Sequence, residues 1–257
     1  MGNLRVGVQF HPQHTSYASL AEAARRADQM GVDSIWLWDH FYPLYNDPGG
    51  NHFEAYTLLA ALAAQTRHAE LGIMVTCNSY RNPNLLADMI RTIDHISAGR
   101  AILGIGAGWF ERDYTEYGYT FGTAPERLKA LKAALPVIVN RLGKLTPPPV
   151  RQPLPILIGG GGEKVTLRLV ARYAAMWNII AEPEDVKRKN DLLNGYCLEI
   201  GRDPAEVERT VVLLGNNPLE KLPAYLDAGM THFILGTGEP WNFTALEKLL
   251  EWRDQPH

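Results

Sequence analysis

The sequence predicts a (β/α)8 TIM barrel, built as a single domain over residues 1–257. The first observation is that eight strand-like segments alternate with eight helix-like segments along the whole chain. The second is the length, because about 250 residues is typical of eight such pairs closed into a barrel. The third is the composition, which is 46% hydrophobic, enough for one large core, and marks no second domain. An open, doubly wound sheet is the main alternative.

The strand-like segments are short and rich in Ile, Val and Leu, and most of them lack a polar face. This pattern is typical of parallel strands that are covered on both sides. In order along the chain, the predicted strands cover residues 4–10, 34–38, 70–77, 101–105, 154–158, 176–180, 210–214 and 231–235.

The segments between the strands have the spacing of amphipathic helices. In the first, Leu20, Ala24 and Ala27 share one face, and Gly31 follows the last turn as a typical helix-ending glycine. The predicted helices cover residues 19–30, 54–66, 83–97, 124–141, 164–173, 183–200, 219–228 and 243–253.

Charge and cysteine content narrow the function classes. The net charge is −3 with both signs interspersed, so we expect neither a nucleic acid nor a membrane as partner. No apolar segment has the length of a transmembrane helix, and the first residues do not resemble a signal peptide. The two cysteines, Cys77 and Cys197, do not suggest a disulfide framework. Together these features predict a cytoplasmic protein.

A run of four glycines, Gly159, Gly160, Gly161 and Gly162, connects the fifth predicted strand to a helix-like segment. Glycines let a ligand approach the backbone, and the N–H groups at a helix start favour an anion. The run therefore predicts a phosphate-binding loop.

Polar residues also follow the other strands, where a barrel carries its functional groups. Asp39 and His40 follow the second strand, Asn78 the third, and Glu111 the fourth. The loop 42–53 is the longest at this end and contains two glycines, which suggests a lid.

Two motifs at this end of the barrel are similar to those of a metal site and of a dinucleotide-binding site, but neither is complete. His11 and His14 have the spacing of a metal pair, but the further ligands of a barrel metal site are missing, so we predict no metal. Gly104, Gly106 and Gly108 resemble a dinucleotide fingerprint, but the spacing of the third glycine is wrong for it.

Four long motifs carry a resemblance to a known family. They are IWLWDHF (35–41), VTCNSYRNPNLLADM (75–89), DHISAGRAILGIGAGWFERDYTEYG (94–118) and PILIGGGGEKVTLRLVARYA (155–174). In this order they resemble the bacterial luciferase-like monooxygenase superfamily, and most closely its oxidoreductases that use the deazaflavin coenzyme F420. The resemblance covers nearly the whole chain. The connector 143–153, which contains the proline-rich sequence LTPPPVRQP, is short, as in a short branch of the family. A short connector predicts a cavity that is more open on the side where it lies.

The resemblance implies a TIM barrel that holds a flavin-type ring across the carboxyl ends of its strands. It places a non-prolyl cis peptide between Met74 and Val75, behind the ring. Further cofactor contacts implied by the resemblance come from Asp39, Thr76, Asn78, Gly106, Gly108, the phosphate-binding glycines Gly159, Gly160, Gly161 and Gly162, and Lys164 as a counter-charge.

The resemblance implies catalytic roles for His40, near the hydride-transfer centre, and for Glu111, as a ring contact or proton partner. Hydride transfer to or from a carbonyl also requires a proton transfer, and histidine is suited to this near neutral pH. A structural histidine bonded to a nearby carboxylate is the alternative for His40, and a solvated loop acid is the alternative for Glu111.

The implied function is an oxidoreductase that transfers a hydride between F420 and a small organic substrate. The alternatives are an FMN-dependent monooxygenase on the same barrel and a non-catalytic flavin-binding protein. The anionic tail of F420 would require cations, for which Arg81, Arg112 and Lys164 are candidates. Family members commonly form homodimers through the second and third helices, which the alanine-rich segment 58–64 would permit.

Overall fold

A computed structural model describes residues 4–215 and 217–256 of the chain. Nine short strands, all paired in parallel, form one closed sheet. They are β1 (Arg5–Phe10), β2 (Ser34–Leu37), β3 (Glu70–Ile73), β4 (Thr76–Cys77), β5 (Ala101–Gly106), β6 (Ile156–Gly159), β7 (Met176–Ile179), β8 (Glu208–Leu213) and β9 (His232–Thr237).

Helices cover the outside of the sheet. They are α1 (Tyr17–Gln29), α2 (Ala55–Gln65), α3 (Pro83–Ile96), α4 (Glu111–Tyr117), α5 (Ala124–Leu142), α6 (Thr166–Tyr173), α7 (Pro183–Glu199), α8 (Leu222–Asp227) and α9 (Phe243–Arg253), with a short 3-10 helix at Pro204–Glu206. Among the described helices, none combines the length and apolar character that crossing a bilayer demands.

The sheet closes into a barrel of eight strand positions, because β3 and β4 are two parts of the third predicted strand. β5 pairs with both parts: Leu71 lies opposite Ala101, and Thr76 lies opposite Ile105. The predicted (β/α)8 barrel is therefore confirmed. The differences are the break within the third strand and the additional helix α4.

The core has two layers, which follow from the alternation of side chains along each strand. One side of each strand packs against the helices, and the other side fills the barrel interior. In β2, Ile35 and Leu37 belong to the outer layer, whereas Trp36 is fully buried in the interior. Gly72 on the neighbouring strand leaves room for that indole, because a Cβ there would lie 2.6 Å from Trp36 Cζ3.

The connector between α5 and β6 packs at the amino ends of the strands. The backbone N–H groups of Val150 and Arg151 donate to Asp94 Oδ2, at 2.8 and 3.1 Å. Arg151 also forms an ion pair with Glu70, the first residue of β3. The expectation that the short connector opens the cavity is wrong, because the connector lies at the opposite end of the barrel from the cavity described next.

Candidate active site

A cavity of about 620 Å³ lies at the carboxyl ends of the barrel strands. The segments after eight of the nine strands contribute to its wall, as expected for a barrel. Most of the predicted site residues line it: Asp39, His40, Met74, Val75, Thr76, Gly106, Gly108, Gly159, Gly160, Gly161 and Gly162. Asn78, Glu111 and Lys164 are not part of the wall.

The third strand bulges into the cavity between β3 and β4. The peptide bond between Met74 and Val75 is cis, so that prediction is confirmed. The buried side chain of Gln9 donates from Nε2 to the Met74 carbonyl oxygen at 2.7 Å, and the Met74 N–H donates to the Leu37 carbonyl oxygen at 2.7 Å. The bulge is thus held by β2, its neighbour in the sheet, and by Gln9 from β1, one strand further away.

Glycines on β5 and on β6, the next strand in the sheet, make room for this bulge. A Cβ on Gly106 would lie 2.6 Å from Val75 Cγ2, and one on Gly159 would lie 2.7 Å from Val75 Cγ1. A Cβ on Gly104 would overlap the carbonyl oxygen of Ile73. The glycine motif that resembles a dinucleotide fingerprint therefore serves the packing of the third strand.

His40 lies at the cavity wall and is bonded to a buried carboxylate. Its Nδ1 donates to Asp113 Oδ2 at 2.7 Å. Asp113 also accepts from the Phe41 N–H at 3.1 Å and from the Tyr80 hydroxyl at 3.1 Å. Because three donors converge on Asp113, it acts as an acceptor, so the imidazole proton lies on Nδ1. This leaves Nε2 as the free nitrogen of His40.

Aromatic rings surround this imidazole. The ring centres of Trp109, Phe110 and Trp38 lie 5.7, 5.4 and 6.0 Å from that of His40, all in edge-to-face orientation. Such rings exclude water and lower the local dielectric constant, which strengthens the hydrogen bond to Asp113.

Asp39 also lines the cavity, but its carboxylate is engaged within the protein. Arg81 donates to both of its oxygens, at 2.6 and 3.0 Å, and the Cys77 N–H donates to Oδ2 at 2.9 Å. Burial lowers the pKa of Arg81, but the charge of Asp39 outweighs this and raises that pKa above its ordinary value. Arg81 also pairs with Glu54 at 2.6 Å. Arg81 is therefore not a free cation at the cavity.

The glycine run turns directly from β6 towards α6. Gly160 has a positive φ of 121°, which glycine adopts without strain, and its N–H donates to the Asn178 carbonyl oxygen at 2.9 Å. The N–H groups of Gly161 and Gly162 have no acceptor among the described residues. These two free donors, just before the start of α6, match the requirements of an anion site.

The cation at this loop is Lys189, which sequence reasoning missed. Its side chain, in α7, lines the cavity and forms an ion pair with Asp185 at 3.1 Å. Its Nζ lies 2.9 Å from the position that a Cβ on Gly161 would take. By contrast, Lys164 is exposed outside the cavity wall. In the sequence, Lys189 is marked only by its spacing from Asp185, one helical turn earlier, which predicts an ion pair but not a place at the cavity.

Two further predicted residues lie away from the cavity. Glu111 is exposed and is the first residue of α4, and Asp113, two residues later, is the acid that reaches His40. Arg112, proposed for the cofactor tail, packs over the Tyr42 ring and donates to the Pro48 carbonyl oxygen at 2.8 Å.

The loop 42–53 contacts the segment after β1. The Leu44 N–H donates to Gln13 Oε1 at 2.7 Å, and the Phe53 N–H donates to the Pro12 carbonyl oxygen at 3.0 Å. The loop thereby places Leu44 and Tyr45 in the cavity wall.

Buried histidines pack around Trp38 at the same end. The His11 ring stacks on Trp38 at 4.2 Å between ring centres, and Trp38 Nε1 donates to His52 Nε2 at 2.9 Å. Burial lowers the pKa of both His11 and His52 to about 4. Within residues 4–215 and 217–256, no three His, Cys, Asp or Glu side chains come together as a metal site.

Comparisons with known proteins agree with this geometry. The chain is 30% identical to an F420-dependent glucose-6-phosphate dehydrogenase of Amycolatopsis mediterranei, over 66% of the chain and 54% of the relative. It thus spans about half the length of that relative. It is 31% identical to the Microbacterium testaceum enzyme of the same name, over 97% of the chain and 73% of the relative.

Among solved structures, an F420-dependent secondary alcohol dehydrogenase in complex with an F420-acetone adduct has the same fold. The TM-score is 0.87 at 18% identity, over 98% of this chain and 100% of that one. The family model of luciferase-like monooxygenases matches residues 4–214. The chain therefore belongs to the luciferase-like monooxygenase family.

Proposed function

We propose that the protein is an F420-dependent oxidoreductase that transfers a hydride between the deazaflavin and a small organic substrate. The observation that carries the proposal is the hydrogen-bonded pair of His40 and Asp113. His40 lines the same cavity as the glycine loop, with its free N–H groups, and Lys189. Two relatives named as F420-dependent glucose-6-phosphate dehydrogenases support the choice of cofactor.

The residues at the cavity fit the cofactor. The N–H groups of Gly161 and Gly162 and the ammonium group of Lys189 would hold its phosphate. The bulge at Met74 and Val75 would support the ring, with Thr76, Gly106 and Gly108 beside it. When bound, a deazaflavin supplies two-electron hydride transfer.

His40 would move the proton that accompanies the hydride. Asp113 fixes the Nδ1 proton and the orientation of the ring, so Nε2 is the atom that exchanges a proton with the substrate oxygen. Trp38, Trp109 and Phe110 would keep water away from this exchange. The predicted role of Glu111 as proton partner stays a proposal, and its exposed position gives it less support than Asp113 has.

We further propose that two chains associate through α2 and α3. These helices are neighbours on the barrel surface, and α3 exposes Leu85 and Ile96 there. Apolar side chains exposed near both ends of this helix would be covered by a second chain packed along it.

The proposed function is tested by oxidation of reduced F420 under anaerobic conditions with a panel of small ketones and aldehydes. We expect carbonyl-dependent oxidation, and a loss of about 100-fold in His40→Gln, because general acid–base groups contribute on this scale. Oxygen-dependent consumption of reduced FMN, without any oxidation of reduced F420, would overturn the proposal in favour of a monooxygenase.

A further inference from the structure

Tyr80, in the cavity wall, shares one oxygen atom with His40. Its hydroxyl donates to Asp113 Oδ2 at 3.1 Å, and the same oxygen accepts from His40 Nδ1 at 2.7 Å. The other oxygen of that carboxylate, Oδ1, accepts from the Phe41 N–H. A change at the tyrosine hydroxyl therefore reaches the imidazole through a single atom.

Asp113 depends on these donors because it is fully buried. Among the described residues, its ion-pair partner is His40, and neither a lysine nor an arginine pairs with it. The buried Asp39, by contrast, pairs with Arg81. A buried carboxylate without such a cation is held mainly by the hydrogen bonds that it accepts. Each of the three donors to Asp113 therefore contributes to keeping it in place.

The hydroxyl of Tyr80 can act on Asp113 only as a donor. Burial raises the pKa of this hydroxyl above its ordinary value, and the neighbouring Cys77 and Asp113 raise it further, so the phenol keeps its proton. An ionised carboxylate has no proton to donate and can only accept. The direction of the hydrogen bond is thus fixed.

Aromatic neighbours hold the side chain of Tyr80 in this orientation. Tyr80 is only 5% exposed, and its ring stacks on that of Tyr119 at 5.2 Å between ring centres and lies 4.7 Å from that of Phe41. The Tyr119 hydroxyl also donates to the Tyr80 carbonyl oxygen at 3.1 Å. The hydroxyl of Tyr80 is therefore oriented towards Asp113 before any ligand binds.

A second tyrosine of the same cluster donates elsewhere. Tyr114 is also fully buried, and its ring lies 5.2 Å from that of Tyr80 in edge-to-face orientation. Its hydroxyl donates to Ser79 Oγ at 3.1 Å and lies 3.1 Å from Cys77 Sγ. Tyr114 thus matches Tyr80 in burial and ring packing, but its hydroxyl does not bond to the carboxylate.

We propose that Tyr80 is a positioning residue for His40, because its hydroxyl holds Asp113 Oδ2 against the Nδ1 proton. The inference rests on the proposed function in one respect, since His40 is there the group that moves a proton. Without the hydroxyl, Oδ2 loses one of its two donors, and the carboxylate is free to turn away from the imidazole. The share of molecules with His40 in the reactive orientation then falls, and kcat falls with it.

The kinetic test compares Tyr80→Phe with Tyr114→Phe, each alone and combined with Asp113→Asn. We expect kcat for oxidation of reduced F420 to fall about threefold to tenfold in Tyr80→Phe, because a hydrogen bond to a charged group is lost. KM and F420 affinity should not change, since the ring stays in the cavity wall. In the Asp113→Asn background the same substitution should cost less than about twofold, because Tyr80 acts through Asp113. Tyr114→Phe should lower thermal stability and leave kcat unchanged.

Proton NMR gives a second readout, which does not require activity. The Nδ1 proton shared by His40 and Asp113 should give a downfield signal, assigned by its loss in His40→Gln. We expect this signal to move or broaden in Tyr80→Phe and to keep its position in Tyr114→Phe.

An unchanged kcat or an unchanged signal in Tyr80→Phe would overturn the positioning role. Additive losses of kcat in the double variant, or equal effects of Tyr80→Phe and Tyr114→Phe, would overturn it as well. A signal that changes only in Tyr80→Phe, in a protein that does not oxidise reduced F420, would support the role of Tyr80 and reject the proposed function.

Discussion

At the scale of single residues, one hydrogen bond decides which nitrogen of His40 is free. Replacing Asp113 by Asn removes the charge that holds the Nδ1 proton and places an amide where three donors now converge. We expect kcat to fall by about 10- to 100-fold with little change in F420 affinity, because the proton donor is misoriented.

Steady-state kinetics, which separate kcat from KM, check this prediction, and Asp88→Asn is the control. Asp88 lies on α3, where it pairs with Arg91 and Arg141, away from the cavity. An Asp113→Asn protein that melts like the wild type and keeps its kcat would contradict a positioning role for Asp113.

The two buried histidines make stability depend on pH. The pKa of His11 and His52 is lowered to about 4 by burial, whereas in the unfolded chain these groups titrate near 6.5. Between these values the unfolded chain binds more protons than the folded one, so the free energy of unfolding falls as the pH is lowered from 6.5 to 4.

Replacing His11 by Phe keeps a ring against Trp38 and removes one of these groups. We expect the variant to lose less stability than the wild type over that pH range, as measured by urea unfolding at both ends of it. His68→Gln, at an exposed site, should behave like the wild type. An unchanged pH dependence in His11→Phe would show that His11 does not contribute.

At the scale of elements, the bulge of the third strand depends on its glycine neighbours. Gly159→Ala would place a methyl group 2.7 Å from Val75 Cγ1, and such overpacking costs about 1–3 kcal/mol of unfolding free energy. In a Val75→Ala background the methyl has room, so the cost should largely disappear.

Urea unfolding of the two single variants and the double variant measures this coupling. Gly143→Ala, at an exposed position, should change stability by less than about 0.5 kcal/mol. Additive effects of Gly159→Ala and Val75→Ala would contradict the contact.

The glycine loop and α7 together set the anion site. Lys189→Ala should weaken F420 binding about tenfold, because a charge-assisted contact to the phosphate is lost. Lys164→Ala should leave binding unchanged, since Lys164 is exposed outside the cavity wall. Fluorescence titrations at low and high salt check both variants, and the reverse order of effects would favour the lysine that the sequence alone suggests.

Local patterns predicted some of these elements and missed others. The glycine run and His40 follow predicted strands directly, so their place at the cavity could be inferred from strand order. The sequence of α4 carries acids in the first turn and ends at Gly118 in the left-handed conformation, both typical of a helix. Asp113 was nevertheless missed, because only the fold brings it to His40.

At the scale of the whole molecule, the alternation of segments was enough to predict a closed barrel. What the alternation of segments did not predict is at which end of the barrel the connector after α5 lies. The connector after α5 lies at the amino ends of the strands, so its length has no bearing on the cavity. The roles of Lys189 and Arg81 could not be predicted from the sequence either. Their long side chains reach partners that the local spacing of residues does not reveal.

The proposed dimer also belongs to this scale. Leu85→Lys would place a charge on the exposed apolar face of α3, so we expect the wild type to elute as a dimer and the variant as a monomer. Size-exclusion chromatography with light scattering measures both, with Leu198→Lys on α7 as the control. A monomeric wild-type protein would contradict the association.

The central claim is that the barrel holds F420 and uses it for hydride transfer. Parallel titrations of the purified protein with F420 and with FMN, followed by fluorescence quenching, test it most directly. The account predicts that F420 binds at least about tenfold more tightly than FMN, in line with the relatives named as F420-dependent enzymes. Tighter binding of FMN, or no binding of F420, would contradict it.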